Sequence, residues 1–388
     1  MKMRKILCLI LALVMVASMA ACGSDSKQPA DSEAASGEST APSGDEGSAS
    51  ADLSSIKVGA IVNVVKGDGG WCQAQYEGLT TAMKNLGMDV DSQLIFLENI
   101  AEEQSSVQAA VDQLVNEGCN IIFGASTGYA PILSELAPSY PDVKFAQAGD
   151  KVDNIVGYQI RDYEAMFLCG YTMGLLSDSD QMGYSAGMSE ASVRRGINAF
   201  ALGAKAAREN ATVQVMWANS WYDIAAETEC ANTLINMGIK YIGINASSPA
   251  IPEACQAAGV YCTGYHMDIK ERAPKSVVTS FIWNWAPIME DIITKCAEGT
   301  LSTDDYYFWG SDKDCAKIAP INTDIVSDQT VIDKVAEMQD KITKGEYQVF
   351  AGELKDNKGN VLVNEGEVMS DQDILSQMFL VENVIGEW

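Results

Sequence analysis

Short apolar runs rich in β-branched residues alternate with helical stretches along this chain, and that alternation constrains it most. Val58–Val62, Leu94–Leu97, Asn120–Phe123, Val143–Ala146 and Ile155–Tyr158 read as strands, with helices between the first four. A second series starts near Gln181: Met182–Ser185, Val213–Trp217, Tyr241–Ile244 and Val260–Thr263, again separated by helices. Runs this short and this apolar suit strands covered on both faces of a parallel sheet. The second helix shows its period plainly, with Val107, Val111, Leu114 and Val115 apolar and Gly118 as a stop. The pattern predicts an α/β chain with two parallel sheets and helices on both faces of each. Leu53 to Trp388 is long enough for two lobes, each with its own core. The tail is less regular. Thr330–Thr343 reads as a helix, Val349–Glu353 and Val361–Val363 as short strands around the turn Asp356–Gly359, and Gln372–Val384 as a last helix.

The first strand leads into the stretch with the most chemistry. Asn63 stands where it ends, and Gly67-Asp68-Gly69-Gly70 follows, with Trp71 at the start of a helix. Glycines there let backbone approach a ligand closely. The carboxyl edges of strands are where open α/β folds bind ligands. An indole beside three glycines has few local neighbours to bury it, so Trp71 is expected to face a ligand, with core packing as the alternative.

Met1–Cys22 reads as an export signal: Lys2, Arg4 and Lys5 make a basic start, and Ile6–Met19 is apolar but too short to span a membrane. Met19-Ala20-Ala21-Cys22 resembles a lipoprotein signal-peptidase site, so the mature chain is expected to begin at Cys22 with lipid on it. Two or three acyl chains hold a protein on a membrane where one is marginal. Residues 23–52 are mostly Ser, Gly, Ala, Asp, Glu, Pro and Thr, too polar to fold. As a flexible coil this acidic tether would reach roughly 30 Å.

The net charge of −27 excludes nucleic acid as an expected partner, because affinity there rests on basic contacts to phosphate. Ten cysteines occur, none in CxxC spacing, which argues against a zinc site. Cys255 and Cys262 are candidates for a disulfide, although buried free thiols fit their apolar contexts better. His266 is the sole histidine, and no GxSxG elbow, Walker A sequence or HExxH occurs. His266 is expected to pack or hydrogen-bond at a strand end. No enzyme, cofactor or metal site is expected.

Several segments then look familiar as an ordered set. They are Asp68-Gly-Gly-Trp71 with Tyr76-Glu-Gly78, Ile121-Ile-Phe-Gly-Ala-Ser-Thr-Gly-Tyr129, Arg161-Asp-Tyr-Glu164, Gly196-Ile-Asn-Ala-Phe-Ala-Leu-Gly203 and Asn219-Ser-Trp-Tyr-Asp223. Gly264-Tyr-His-Met-Asp268, Thr279-Ser-Phe-Ile-Trp-Asn-Trp285 and Phe350–Gly359 continue the set. Together they resemble the basic membrane lipoprotein family of type I substrate-binding proteins, which serve ABC importers of purine nucleosides and related purines. The resemblance implies the type I periplasmic-binding-protein fold, with two doubly wound parallel-sheet lobes joined by a hinge. The first lobe would hold residues 53–160 plus about 276–300, the second 161–275 plus about 301–388.

In similar proteins a purine ring lies between two aromatic side chains, one from each lobe; the matching positions are Trp71 and Trp221. Asn63 matches a residue that hydrogen-bonds the base, and Asp268 an aspartate that holds ribose hydroxyls. Gly124, Ser126 and Tyr129 are expected to face the cleft after the third strand. Asp68 and Glu190 are further candidates at strand-to-helix turns. Where nucleoside-binding members carry a ribose-gripping lysine, this chain has Trp283, which implies a free base or another small ring compound as readily as a nucleoside. Trp283 and Trp285 either touch the ligand or pack at the hinge. The implied partners are a small-molecule ligand and the permease and ATPase of an importer, for a monomer held outside the cell membrane by lipid on Cys22. A ligand-sensing lipoprotein and a nucleoside-processing surface enzyme are the alternatives.

Overall fold

A computed structural model describes residues 52–386. The expected export signal, the lipid site Cys22 and nearly all of the tether lie outside the described residues. From Val58 the chain lays down β1 (Val58–Ile61), α1 (Trp71–Asn85), α2 (Val90–Gln93), β2 (Leu94–Leu97), α3 (Gln104–Asn116), β3 (Ile121–Gly124), α4 (Ala130–Leu136), β4 (Lys144–Ala148) and β5 (Val156–Ile160). It crosses at Arg161 into α5 (Asp162–Leu176), β6 (Gln181–Ala186), α6 (Ala191–Ala207), β7 (Thr212–Trp217), α7 (Ile224–Asn236), β8 (Tyr241–Asn245), α8 (Ala250–Ala258), β9 (Tyr261–Gly264) and β10 (Val277–Trp283). It returns through α9 (Ala286–Glu298) and β11 (Tyr306–Trp309), then crosses again to β12 (Ala316–Ile318) and α10 (Gln329–Thr343). The tail holds β13 (Leu354–Lys355), β14 (Val361–Val363), α11 (Asp371–Leu375) and β15 (Val384–Ile385).

Two large sheets result, in the orders β11-β5-β4-β3-β1-β2 and β12-β10-β9-β8-β6-β7-β15. Every pairing in the first is parallel, and in the second only β10 with β12 is antiparallel. The expected pair of doubly wound lobes is present. The central strands β1, β3, β5 and β8 are buried at every residue, which is why they read as unbroken apolar runs.

The expected lobe boundary needs correction. Val277–Trp283 pairs with β9 in the second sheet, so only α9 of the stretch 276–300 returns to the first lobe, where it packs on α1. Tyr306–Trp309, expected in the second lobe, is the edge strand of the first sheet beside β5. The chain therefore passes between lobes at Arg161, at Asn284-Trp285 and between β11 and β12.

Two more expectations fail in the tail. No strand forms over Val349–Glu353; the hairpin is Leu354–Lys355 with Val361–Val363, closed by Asp356, whose Oδ1 accepts from the amides of Lys358 at 2.9 Å and Asn360 at 2.8 Å. The helix expected over Gln372–Val384 stops at Leu375. Buried amides replace its backbone bonds. Asn198 on α6 donates to Gln377 Oε1 at 2.9 Å and accepts from the Val381 amide at 2.9 Å, while Asn383 donates to the carbonyl of Ala201 at 2.8 Å. β15 then pairs with β7.

α5 is buried on almost every side and reads as apolar throughout, as a helix wedged inside a protein should. Glycines let it meet α6 backbone to backbone: a Cβ on Gly170 would lie 1.9 Å from the Phe200 carbonyl oxygen, and one on Gly203 2.0 Å from that of Phe167. In the first lobe, a Cβ on Gly78 of α1 would lie 2.5 Å from the Cβ of Trp285. That close approach seats Trp285 under the site described next.

Candidate functional site

The glycine loop after β1 is built around Asp68. Its carboxylate accepts from the backbone N–H groups of Gly70 at 2.8 Å, Gln73 at 3.0 Å and Cys72 at 3.2 Å. Asp68 thus satisfies the orphan donors that open α1, a capping role for a residue expected to meet ligand. Trp71 begins that helix, half-buried, and its indole N–H donates to the Ala125 carbonyl at 2.6 Å. Its ring meets Trp283 and Trp285 edge-on, each with centroids 5.5 Å away. Those two indoles stack on one another at 5.1 Å with planes 13° apart. Trp285 is fully buried and Trp283 is 8 % exposed, and both pack at the hinge.

The other first-lobe candidates divide. Asn63 is exposed at the carboxyl edge of β1; its Oδ1 accepts from the Cys72 thiol at 3.4 Å and its Nδ2 lies 3.5 Å from Glu102 Oε1. The Ser126 hydroxyl donates to the same carboxylate oxygen of Glu102. Glu102 joins these two edges, and nothing in its local sequence singled it out. Gly124 and Tyr129, expected to face the cleft, do not. Gly124 is packed under Gln147 and Leu133, each 2.4 Å from where its Cβ would be. Tyr129 is fully buried, and its hydroxyl donates to the Ile100 carbonyl at 2.6 Å. A four-residue turn after β3 carries the phenol back under the sheet, and burial pushes it well above its ordinary pKa.

On the second lobe, β9 ends at Gly264 and His266 follows with φ of 74°. Trp283 Nε1 donates to His266 Nδ1 at 3.0 Å, and the Trp283 amide donates to the His266 carbonyl at 3.2 Å. His266 Nε2 lies 3.0 Å from Ser247 Oγ. Burial pushes the imidazole down to about 4, against a small upward pull from Asp68. His266 therefore packs and hydrogen-bonds after a strand, as its solitary occurrence suggested. The first-lobe glycine loop presses on this group. A Cβ on Gly70 would be 3.3 Å from Ser247 Cβ and 3.5 Å from His266 Cδ2, and one on Gly69 2.9 Å from Arg272 Nη2. Trp71, Trp283, His266 and Ser247 thus meet where the lobes touch.

Trp221 sits on the loop after β7, 51 % exposed, with its ring edge 3.5 Å from where a Cβ on Gly187 would lie, at the end of β6. Tyr222 and Ile224 beside it are 57 % and 54 % exposed. Glu190 is exposed at the start of α6, makes no capping bond, and has its carboxyl raised by partial burial. Asp268 is exposed and accepts from the Lys270 amide at 3.0 Å, closing a turn.

Two surface cavities lie away from this group. One of about 560 Å³ is lined by Arg194, Asp356, Lys358 and Phe379 among others, and one of about 270 Å³ by Arg161, Glu164 and Tyr347. Among the described residues no cluster of three or more His, Cys, Asp or Glu can hold a metal ion, no helix is long and apolar enough to cross a membrane, and all eight cysteines, Cys255 and Cys262 included, are free.

Residues 55–351 match the family described as ABC transporter substrate-binding protein, PnrA-like. A purine-binding protein of Brucella abortus is 30 % identical over 85 % of this chain and 93 % of its own length. A putative ABC transporter glucose-binding protein of Haloferax volcanii is 32 % identical over 68 % of each chain. Among solved structures, a solute-binding protein of an ABC transporter system from Conexibacter woesei superposes with a TM-score of 0.65 at 18 % identity, covering 76 % of this chain and 98 % of that one. That likeness speaks for the fold, two lobes of the type I periplasmic-binding-protein kind. With motif order, lobe architecture and family match in agreement, the chain belongs to the PnrA-like family of ABC transporter substrate-binding proteins.

Proposed function

We propose that this protein binds a purine, as nucleoside or free base, in the seam between its lobes and delivers it to an ABC importer, with no chemical step of its own. The observation that carries the reading is the pairing of a pinned indole with an exposed one. Trp71 has its N–H committed to Ala125 and two further indoles against its edge, so its orientation is set before ligand arrives. Trp221 leaves half its surface in water at the carboxyl edge of the opposite sheet, a costly position for an indole that no ligand ever covers. Stacking a base on an aromatic face contributes about 1–3 kcal/mol. Two faces with a few hydrogen bonds reach about −8 kcal/mol, a micromolar dissociation constant. Asn63 and Ser126 supply polar groups on the first lobe, Glu190 and Asp268 on the second. The name of the Brucella relative supports the ligand class.

Closure brings the lobes together over the ligand by hinge motion at the three crossings. The protein acts outside the membrane as a monomer, held by lipid on Cys22 and spaced by the acidic tether. Thermal shift of the whole chain in detergent, with nucleosides, free bases and glucose, tests the ligand class. A ligand at 100 times its dissociation constant stabilises by about 2.7 kcal/mol. A shift with glucose and none with any purine overturns the reading. Palmitate labelling lost in Cys22→Ser tests the anchor.

A further inference from the structure

The Trp283–His266–Ser247 chain has a direction. An indole N–H only donates, so the 3.0 Å contact from Trp283 makes His266 Nδ1 the acceptor. A neutral imidazole with Nδ1 accepting carries its proton on Nε2. Burial keeps the ring neutral at ordinary pH. Nε2–H therefore donates to Ser247 Oγ across 3.0 Å, and the Ser247 hydroxyl keeps its own proton for another partner. Among the described residues, that partner is not supplied: the bond to His266 is the one Ser247 makes. Ser247 is half-buried and stands against Gly70 of the opposite lobe, the residue before Trp71. The hydroxyl is thus placed at the seam, beside the pinned indole, with a donor to spend.

We propose that Trp283 and His266 act as positioning residues that fix Ser247 as a hydrogen-bond donor to the ligand, so the protein selects ring compounds that present an acceptor there, a carbonyl oxygen or an unprotonated ring nitrogen. This rests on the purine reading above and deepens it. The site prefers a ligand by what its edge accepts: a ligand that turns an N–H or amino group toward Ser247 can use only the second lone pair of Oγ and leaves the Ser247 proton without an acceptor. Once a bound ligand covers it, a hydroxyl whose proton has no acceptor loses that bond and keeps the desolvation penalty, which is how hydrogen-bonding pockets discriminate. His266 is held in a left-handed backbone conformation and bonded through both its carbonyl and its ring, so the relay is rigid.

The test is calorimetric titration of the whole chain in detergent with hypoxanthine, with 3-deazahypoxanthine and 7-deazahypoxanthine, which lack one ring acceptor each, and with purine, which lacks O6 and carries an acceptor in place of the N1–H. Wild type is expected to lose about tenfold or more on one of these deletions. Ser247→Ala is expected to bind hypoxanthine about tenfold more weakly and to be indifferent to that same deletion. His266→Asn keeps a residue type that tolerates φ near 74° and keeps an acceptor for the Trp283 N–H, yet its shorter side chain falls short of Ser247. In that variant the deletion is expected to cost less than threefold while the melting temperature without ligand stays near wild type, a split that a purely structural role would not produce. If every analogue loses as much in Ser247→Ala as in wild type, the inference is overturned while purine binding stands. If wild type binds none of the purines, the ligand class fails and this inference with it.

Discussion

Arg195 donates from Nε to Oδ1 of Asp162 at 2.8 Å, with 2 % and 4 % of the two side chains exposed. The pair ties α6 to the first turn of α5, immediately after the chain crosses from β5. Burial pushes the Asp162 carboxyl up, and the guanidinium pulls against that. Arg195 Nη2 finds no hydrogen-bond partner, and the guanidinium carbon lies 6.0 Å from the Phe308 ring centroid on the first-lobe strand β11. Removing one member strands the other charge in the interior. Asp162→Ala is expected to lower unfolding stability by about 3–5 kcal/mol, whereas Asp162→Leu with Arg195→Met should recover most of it. Urea midpoints of the three proteins decide this; a loss under 1 kcal/mol in Asp162→Ala would show that water reaches the pair.

The two tryptophans proposed to face the ligand should behave differently on truncation. Trp221 is exposed and its ring contact is slight, so Trp221→Ala is expected to weaken purine binding by about 1–3 kcal/mol at unchanged melting temperature. Trp71 is packed against two indoles, so Trp71→Ala should lose both binding and stability, the latter by about 3 kcal/mol. Equal binding by wild type and Trp221→Ala would remove Trp221 from the site.

His266 also sets a pH dependence. Its folded pKa of about 4 lies below the ordinary 6.5, with Asp68 the nearby carboxylate that opposes the drop. Between those values the unfolded chain takes a proton that the folded one refuses. Stability from the neutral imidazole is therefore complete above pH 6.5 and is lost as pH falls toward 4, by on the order of 3 kcal/mol. Since the sequence holds one histidine, the slope is assignable. Denaturation of wild type and His266→Asn at pH 7, 5.5 and 4 should show wild type losing stability relative to the variant as pH falls; parallel curves would mean the imidazole is solvated.

The strands and helices that compose the two lobes were legible because each depends on local pattern. Val58–Val62 is apolar because both faces of β1 are covered, and Val107, Val111 and Leu114 repeat because one face of α3 is. The glycine loop and Trp71 were legible too, since a strand, a φ-permissive turn and a helix start are neighbours in sequence. The capping role of Asp68 was not legible, because a carboxylate that caps a helix and one that meets a ligand look alike in a string of letters.

What tertiary structure alone decided depends on residues far apart in the chain. Val277–Trp283 could join either sheet by its composition, and only pairing with β9 placed it in the second. Tyr129 turned inward because Ile100, on another loop, offered its phenol a carbonyl. Glu102 became a hub for Asn63 and Ser126 only once β1, β2 and β3 lay side by side. The sequence determined which segments make sheets and that one cleft edge carries aromatic rings. The crossing of the chain between lobes decided which rings touch and which way the hydrogen bonds of His266 point, because those contacts join residues that only the folded hinge brings together.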